Sequence, residues 1–492
     1  MVLSDIVAGI EIVSQAGATA AEVASLGFDS RQAAPGQLFF AIRGGQSDGH
    51  DYIEKALDAG AVGVVCEKMP DARRSGVTYL QVADSQAALG IAASNFYDNP
   101  SAKLRLVGVT GTNGKTTTVT LLYDLFRKLG YKAGLISTVV YRIDDREIAS
   151  THTTPDAIRL NAMMAEMVAA GCEYCFMEVS SHAVVQRRIE ALTFAGGIFS
   201  NLTHDHLDYH ESFAAYLKAK KRFFDGLPAG AFALVNADDR NGRVMVQNTR
   251  AQVRTFSLQG MADFRARIIE MLFDGMLLHI DGTEVWVRFL GRFNAYNLLS
   301  VYAAALLLGV EKEEALRYIS SLEAVSGRFE YLRSADGVTA IVDYAHTPDA
   351  LENVIRTIHE IRNPGQKFYV VVGCGGNRDA EKRPKMAHIA ASESDLAILT
   401  SDNPRHEEPE AILAQMRAGV QPGDRSLTIT DRREAIRAAT MMASPGDIIL
   451  VAGKGHEDYQ IVGDDKHHFD DKEEIRAAFD LRMPPAHNPN TM

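Results

Sequence analysis

The sequence predicts an α/β protein of several domains, and three observations carry that expectation. Apolar runs of strand length alternate with longer segments of helical periodicity, a Gly-rich loop joins one such strand to the next helix, and 492 residues exceed what a single hydrophobic core organises. Because strands and helical stretches alternate, the central sheet is expected to be doubly wound and mostly parallel.

The elements follow in order. Roughly the first hundred residues mix short strands with one helix and end near Asn99-Pro100-Ser101, a linker of the turn type. An apolar strand, Leu104 to Val109, runs into the Gly-rich loop, after which Val119, Leu122, Tyr123, Phe126 and Leu129 recur at helical spacing until Gly130 closes the helix. Further strands are expected at Gly134 to Tyr141, Glu173 to Val179, Gly197 to Asn201 and Ala231 to Asn236. A helical region, Asn294 to Leu322, precedes a third set at Val338 to Tyr344, Lys367 to Cys374, Leu396 to Thr400 and Asp447 to Ala452. Three domains are therefore expected, at 1–100, 101–326 and 327–492, with a disordered tail from Pro484 to Met492.

Composition narrows the function classes. A net charge of -12 leaves no electrostatic footprint for nucleic acid. The most apolar run, Val301 to Val310, is too short to span a bilayer, and Met1 to Ile10 carries Asp5 rather than a basic stretch, so a cytoplasmic location without a membrane anchor is expected. Four cysteines, Cys66, Cys172, Cys175 and Cys374, are cytosolic usage rather than a disulfide framework. Cys172 and Cys175 form a C-x-x-C, but no second ligand pair matches it and the surrounding residues read as a buried strand, so core packing is preferred over metal or redox chemistry.

The strongest chemical signal is Gly111-Thr112-Asn113-Gly114-Lys115-Thr116-Thr117, placed after a strand and opening a helix. Backbone N–H groups and a helix N-terminus there suit phosphate oxygens, Lys115 supplies a mobile charge and Thr116 a hydroxyl for Mg²⁺. The generic P-loop pattern wants Gly where this chain has Val109; the loop glycine is instead Gly111. Two more strand ends carry polar clusters. Glu178 is followed by Ser180-Ser181-His182, and Asn201 opens a run containing His204, Asp205, His206, Asp208 and His210. Ligands in open parallel sheets bind beyond the carboxyl ends of strands, so Thr116, Glu178 and His206 are expected to converge around a γ-phosphate. A surface loop with several structural histidines is the alternative.

Together the Gly111 to Thr117 loop, Glu178-Val179-Ser180-Ser181-His182, Asp205-His206-Leu207-Asp208-Tyr209-His210 and Gly291-Arg292-Phe293-Asn294-Ala295-Tyr296-Asn297 resemble the Mur ligases, whose loop shows the same departure from the generic pattern. The resemblance continues, in family order over nearly the whole chain, through Ser326-Gly327-Arg328-Phe329-Glu330, Asp343 to Asp349, Gly373 to Asp379 and Ala452-Gly453-Lys454-Gly455-His456-Glu457. Phe28-Asp29-Ser30-Arg31 and Gly45-Gln46-Ser47-Asp48-Gly49 resemble the uridine-binding segments of the ligase adding the third peptide residue. The resemblance implies a smaller α/β N-terminal domain for UDP, a central ATPase domain and a mobile, Rossmann-like C-terminal domain bringing the amino acid. It implies ATP and Mg²⁺ as cofactors, and transfer of the γ-phosphate to a carboxylate to give an acyl phosphate that an amine attacks.

Residue roles implied by the resemblance are specific. Gly111, Thr112, Asn113, Gly114, Lys115, Thr116 and Thr117 would hold the phosphates, and Asn294, Arg328 and Asp343 would contact the nucleotide. Thr116 and Glu178 would take one Mg²⁺ and His206 the second. Phe28, Ser30, Gly45, Gln46, Ser47, Thr153, Thr154, Ser180, Gln186 and Arg188 match positions that bind a UDP-muramoyl dipeptide, while His152 stands where the family often has Asn. Lys220 matches a lysine that the family carbamylates into a metal ligand, although Lys218, Lys221 and Arg222 around it read as a solvated face.

The amino acid can be argued physically. Meso-diaminopimelate differs from lysine by a distal carboxylate, so its selection needs a fixed bidentate cation. Asp402-Asn403-Pro404-Arg405 puts Arg405 at a strand end and resembles the signature of diaminopimelate-adding ligases. Asp402 and Glu457 would hold the distal ammonium, with Arg378 and Gly453 also on family positions. An exposed arginine after an Asn-Pro turn is the alternative. The implied partners are small molecules only, UDP-N-acetylmuramoyl dipeptide and meso-diaminopimelate, and a monomer is expected. Folylpolyglutamate synthases share the ATPase core but do not need the Phe28, Gly45 and Asp402 segments, and a non-enzymatic nucleotide switch would not need the second polar cluster.

Overall fold

The computed structural model describes residues 1–44, 47–150, 152–203, 210 and 212–482. It is an α/β protein, and its chain divides into two compact units, Met1–Gly111 with Thr118–Ser200 and Leu217–Thr255, and Thr112–Thr117 with Asn201–Tyr216 and Phe256–Met492.

The first unit holds two sheets. Strands β1 (Ile12–Ala16), β2 (Ser25–Gly27), β3 (Gln37–Phe40), β4 (Gly63–Cys66) and β5 (Thr78–Val82) lie in the order β1-β5-β4-β3-β2, parallel except for β1. Neighbouring residues serve opposite faces: Phe40 and Val65 pack with Leu3 and Leu89, and Phe39 and Val64 with Ala56 and Leu57. A sheet covered on both faces needs continuously buried strands, and β3 and β4 at its centre are buried throughout, while the edge strand β1 is mostly exposed. Three α-helices, Leu3–Ile6, Ile53–Asp58 and Ser85–Phe96, stand where one was expected. The first two span four and six residues, too few to display helical periodicity. The turn at Asn99 is left-handed and leads Pro100 into a short 3-10 helix.

Next come β6 (Arg105–Thr110), β7 (Ala133–Ile136), β8 (Val140–Ile143), β9 (Arg146–Ala149), β10 (Tyr174–Glu178), β11 (Gly196–Phe199) and β12 (Phe232–Asn236), ordered β12-β11-β6-β10-β7-β8-β9. From β12 to β7 the pairing is parallel; β8 and β9 are antiparallel. The Gly134 to Tyr141 segment is thus two strands rather than one. The Ser137 hydroxyl donates to Val140 O at 2.8 Å and accepts from Val140 N at 3.2 Å, so the chain reverses without the Gly or Pro that would have announced a turn.

In the second unit the end of β13 (Gln252–Ser257) pairs with β14 (Phe264–Leu272), which continues into an antiparallel meander through β15 (Gly275–Ile280) and β16 (Thr283–Val287). The expected helical region is two helices, Arg292–Leu307 and Lys312–Ile319, separated at Gly309 with φ 93°. The last main sheet contains β17 (Glu330–Arg333), β18 (Thr339–Asp343), β19 (Phe368–Cys374), β20 (Leu396–Ser401), β21 (Ser426–Thr428) and β22 (Ile448–Ala452) in the order β17-β18-β22-β19-β20-β21, parallel except for β17. A hairpin of β23 (Tyr459–Val462) and β24 (Asp465–His468) follows. Phe469, Ile475 and Phe479 bring the helix Asp471–Arg482 onto one face of this core. Among the described residues no helix is long and apolar enough to cross a membrane. The tail, expected to be disordered, lies outside the described residues from Met483 onward.

Candidate active site

β6 ends at Thr110 and a helix opens at Lys115, so Gly111 to Gly114 form the turn between them. Asn201 fixes its shape: Thr112 N donates to Asn201 O, Asn113 N to Asn201 Oδ1, both at 2.9 Å, and Asn201 Nδ2 returns a bond to Asn113 O at 3.1 Å. Gly114 has φ +86°, and a Cβ there would lie 2.5 Å from Asn297 Oδ1, so this position admits glycine alone. Lys115 Nζ folds back onto Thr112 O at 2.8 Å. Thr116 and Thr117 are buried, and Thr116 Oγ1 accepts from Arg328 Nη2 at 3.2 Å. Asn113 Nδ2 donates to Asp349 Oδ2 at 2.8 Å, and burial holds the Asp349 carboxyl above its ordinary range.

Arg328 sits in a turn whose strain the sequence does not advertise. Phe329 adopts φ 51°, unusual for a bulky residue, and its N–H donates to Asp343 Oδ2 at 2.7 Å. A Cβ on Gly327 would fall 2.1 Å from His456 N, so this turn packs directly on the backbone after β22. The Arg328 guanidinium lies 4.6 Å from the centre of the Tyr344 ring. Asp343 is buried; desolvation pushes its pKa up to about 6, against the opposing pull of Arg328 and two backbone N–H groups. Asn294 Nδ2 donates to Leu290 O at 2.8 Å, and its Oδ1 accepts from Asn297 Nδ2 at 3.2 Å.

At the carboxyl ends of β20 and β22 a second group gathers. Asp402 and Asn403 are buried, and Gly453, at φ +114°, would push a Cβ to 2.9 Å from Asp402 Oδ2. Glu457 Oε2 accepts from Asn403 Nδ2 at 2.8 Å and from Lys454 Nζ at 3.4 Å, and its Oε1 from the Tyr344 hydroxyl at 3.4 Å. Burial, then Asp402, raise the Glu457 carboxyl, with Lys454 and Asn403 opposing. Arg405 is left-handed (φ 52°), its N–H bonded to Ile461 O at 3.0 Å and its Nη1 to Gly376 O at 2.9 Å. Pro404 is buried beside it, and Arg378 is exposed. The Arg405 backbone is thus fixed by Ile461 and one edge of its guanidinium by the carbonyls of Gly376 and Asn403, the kind of fixing that a selector of carboxylates needs.

In the first unit, Thr154 is the hub of a further cluster. Its hydroxyl donates to Glu178 O at 2.8 Å and lies 3.4 Å from Ser180 Oγ, which caps the helix Ser181–Val185. Arg188 Nη1 donates to Thr154 O at 2.5 Å and its Nε to Gln186 Oε1 at 3.0 Å. Glu178 is buried at the end of β10 and its Oε1 accepts from Thr138 N at 2.8 Å and Thr138 Oγ1 at 3.1 Å; the same hydroxyl bonds Thr153 Oγ1 at 3.1 Å. Lys220 is 1% exposed and donates to Gly111 O at 2.8 Å. The solvated face that Lys218, Lys221 and Arg222 suggested does not include it. Phe28 is exposed, Ser30 opens a 3-10 turn whose Asp29 is held below the usual carboxylate range by Arg31, and Ser47 O accepts from Gly44 N at 2.9 Å.

Gly45, Gln46 and His206, with the other residues of 204–209, lie outside the described residues. Among the described residues no group of three or more His, Cys, Asp or Glu side chains could hold a metal ion. All four cysteines are buried thiols, and burial pushes Cys66 up to about 11, Cys374 up to about 12, and Cys172 and Cys175 above the usual thiol range. Sequence reasoning missed Asn201, Asp349 and Lys454. All three stand inside motifs named above, but a bond such as Asn113 to Asp349 spans 236 positions and has no local signature.

Comparison with known proteins adds a second line. Family models described as Mur ligase family, catalytic domain; Mur ligase middle domain; and Mur ligase, glutamate ligase domain match residues 22–97, 109–305 and 327–455. The chain is 57% identical over 483 residues to the UDP-N-acetylmuramoyl-L-alanyl-D-glutamate--2,6-diaminopimelate ligase of Cytophaga hutchinsonii, covering 98% of this chain and 99% of that protein. The protein of the same name from Bacteroides fragilis is 54% identical over 485 residues, covering 98% and 100%. A solved structure of a UDP-N-acetylmuramoyl-L-alanyl-D-glutamate--2,6-diaminopimelate ligase superposes with a TM-score of 0.69 at 31% identity, covering 98% of this chain and 99% of that one. A folylpolyglutamate synthase from Mycobacterium tuberculosis shares the fold at 16% identity and a TM-score of 0.61, covering 75% of this chain and 93% of that one.

Proposed function

The chain belongs to the Mur ligase family, and from that premise we propose that it joins meso-diaminopimelate to UDP-N-acetylmuramoyl-L-alanyl-D-glutamate, using ATP, as a step in making the peptidoglycan precursor. The observation that carries the choice of amino acid is the group at the ends of β20 and β22. Arg405 Nη1 donates to Gly376 O at 2.9 Å and to Asn403 O at 3.4 Å, and Asn403 Nδ2 donates to Glu457 Oε2 at 2.8 Å, so one residue next to Asp402 joins a guanidinium and a carboxylate in one small neighbourhood. That pattern suits a ligand end carrying both carboxylate and ammonium. A lysine-adding ligase would have no use for Arg405.

The residues fit a nucleoside triphosphate and a hard cation. Gly114 leaves no room for a side chain, Arg328 already reaches the Thr116 hydroxyl, and the Thr116 hydroxyl and Glu178 carboxylate are oxygen donors suited to Mg²⁺. Bound Mg²⁺ would supply charge neutralisation on the phosphates. In this reading Gly111 to Thr117 cradle the β- and γ-phosphates and Asn294, Arg328 and Asp343 contact the nucleotide. Phe28, Ser30, Gly45, Gln46, Ser47, Thr153, Thr154, Ser180, Gln186 and Arg188 bind the UDP-muramoyl dipeptide. Thr116 and Glu178 serve one Mg²⁺, His206 and Lys220 the other. Buried Lys220, as a neutral amine, adds CO₂ and loses a proton to become an anionic carbamate. Arg378, Asp402, Asn403, Pro404, Arg405, Gly453 and Glu457 hold diaminopimelate.

The chemistry follows from charge. A substrate carboxylate oxygen attacks the γ-phosphorus and ADP leaves; Lys115 offsets the charge on the transferring group. The neutral amine of diaminopimelate then attacks the acyl carbon, phosphate departs, and the nitrogen gives up a proton to leave the amide. Three functional domains, 1–100, 101–326 and 327–492, are supported by three family matches in that order and by the separate sheets, and a cytoplasmic setting and a monomeric enzyme complete the proposal.

The test is ADP release from purified protein with the UDP-dipeptide bearing heavy oxygen in its carboxylate. Release that needs diaminopimelate, with one labelled oxygen appearing in phosphate, is expected. Release without label in phosphate would remove the acyl-phosphate route, and no release with any amino acid would favour a nucleotide switch.

A further inference from the structure

Lys454 has no assigned role, yet its side chain is 0% exposed and lies inside the group formed by Asp402, Asn403 and Glu457. Its Nζ donates to Asn403 Oδ1 at 3.3 Å and to Glu457 Oε2 at 3.4 Å, and lies 5.5 Å from the centre of the Tyr459 ring. An ammonium has three donors and no acceptor, so two oxygens and one aromatic face use all three directions. Burying such a charge is costly unless a partner is ionised, and Glu457 is the carboxylate that it touches.

Asn403 makes the arrangement directional. Ile461 N donates to Asn403 Oδ1 at 2.9 Å, which fixes that atom as the acceptor and turns Nδ2 toward Glu457 Oε2 at 2.8 Å. Two donors therefore converge on Oε2. The other oxygen, Oε1, has the Tyr344 hydroxyl at 3.4 Å, long for such a bond, and is the atom from which a ligand cation can be held. The charged and titratable groups facing this carboxylate are Asp402 beyond β20, Lys454 on its own segment, Tyr344 beyond β18, Tyr459 on β23, and Arg432, while Arg405 and Asp458 act on the neighbouring Tyr459. Desolvation and Asp402 favour the neutral acid, and Lys454 is the largest opposing influence.

We propose that Lys454 is a positioning residue for the amino-acid substrate, keeping Glu457 ionised and turned so that its Oε1 receives the substrate's distal ammonium. This rests on reading Asp402, Arg405 and Glu457 as the amino-acid site. Lys454→Met removes the charge at similar length, so Glu457 then needs a higher pH to ionise.

The experiment is the pH profile of kcat/KM for meso-diaminopimelate in wild type, Lys454→Met, Lys454→Arg and Glu457→Gln. For Lys454→Met the expected result is a KM for diaminopimelate raised about ten- to hundred-fold at neutral pH, as for loss of a charged hydrogen bond. KM for ATP should hold, and the acid limb should move up by about one pH unit or more, so that activity partly recovers in base. Lys454→Arg, which keeps the charge, should leave the limb near its wild-type position; should Lys454→Met fail to fold, a displaced limb in Lys454→Arg overturns the proposal. A folded Lys454→Met with an unmoved acid limb also overturns it, since loss of packing alone would lower the rate without altering the profile. Glu457→Gln separates the two readings. If it leaves the KM for diaminopimelate unchanged, the amino-acid site itself is misassigned; if it raises that KM while Lys454→Met leaves the limb in place, only the role of Lys454 falls.

Discussion

Asp343 illustrates how burial sets chemistry at a single residue. Its carboxyl titrates near 6 in the folded chain and at 3.8 ordinarily, because burial penalises the charged form more than Arg328 and the backbone N–H groups stabilise it. Between those two pH values the folded state binds more protons than the unfolded one. Stability therefore falls as pH rises through that window and stays at its lower level above it, by at most about 3 kcal/mol. Asp343→Asn, which keeps an acceptor for Phe329 N, should flatten this part of the curve of thermal midpoint against pH for the ligand-free protein; an unchanged slope would show that other groups produce it. Individual residues were legible in the sequence where a motif names them, as with Gly114, Lys115, Arg328 and Arg405. Lys220 was legible only through its register in the motif, since the cations around it suggest solvent while the fold buries it against Gly111 O. Asp349 had no signal of its role because its partner Asn113 lies 236 positions away, and Lys454, although Glu457 is three residues on, reads as an ordinary loop lysine until the fold buries it beside Asn403.

At the scale of elements, the ends of β20 and β22 are tied by a fully buried ion pair. Arg432 donates to both carboxylate oxygens of Asp471 at 2.7 Å, to Ala452 O at 3.1 Å and to Ser401 O at 3.4 Å. One side chain thus fixes the strand ends from which Asp402 and Gly453 continue. Removing one partner of a buried pair leaves an uncompensated charge, so Arg432→Met should destabilise by roughly 3–5 kcal/mol, and the joint replacement Arg432→Met with Asp471→Leu by less. Denaturant unfolding of the three proteins checks this, and a single replacement as stable as wild type would contradict it. Strands buried on both faces, β6, β10, β18, β19 and β22, were found within a residue or two, because continuous apolar runs leave little ambiguity of length. The meander β14 to β16 was not, since β14 alternates exposed and half-buried residues and its long strand carries no cluster of turn signals at its start. The β7 to β8 reversal was missed because local hydrogen bonding at Ser137, not hydrophobic pattern, decides it, whereas the helix break carries a glycine, Gly309, inside an otherwise continuous helical pattern.

For the whole molecule, three main sheets share a plan of parallel strands at the centre and antiparallel pairing at an edge, and each parallel strand end is an opportunity for a ligand. The order of strand-end motifs along the chain is what makes the family legible in the sequence. The most direct measurement of the central claim is kcat/KM for meso-diaminopimelate relative to L-lysine, in wild type and in Arg405→Ala, with the UDP-dipeptide and ATP saturating. Wild type should prefer diaminopimelate strongly, and the variant should lose most of that preference through diaminopimelate alone, about ten- to hundred-fold for a lost bidentate charge pair. Equal use of the two amino acids by wild type, or an undiminished preference in Arg405→Ala, would contradict the account.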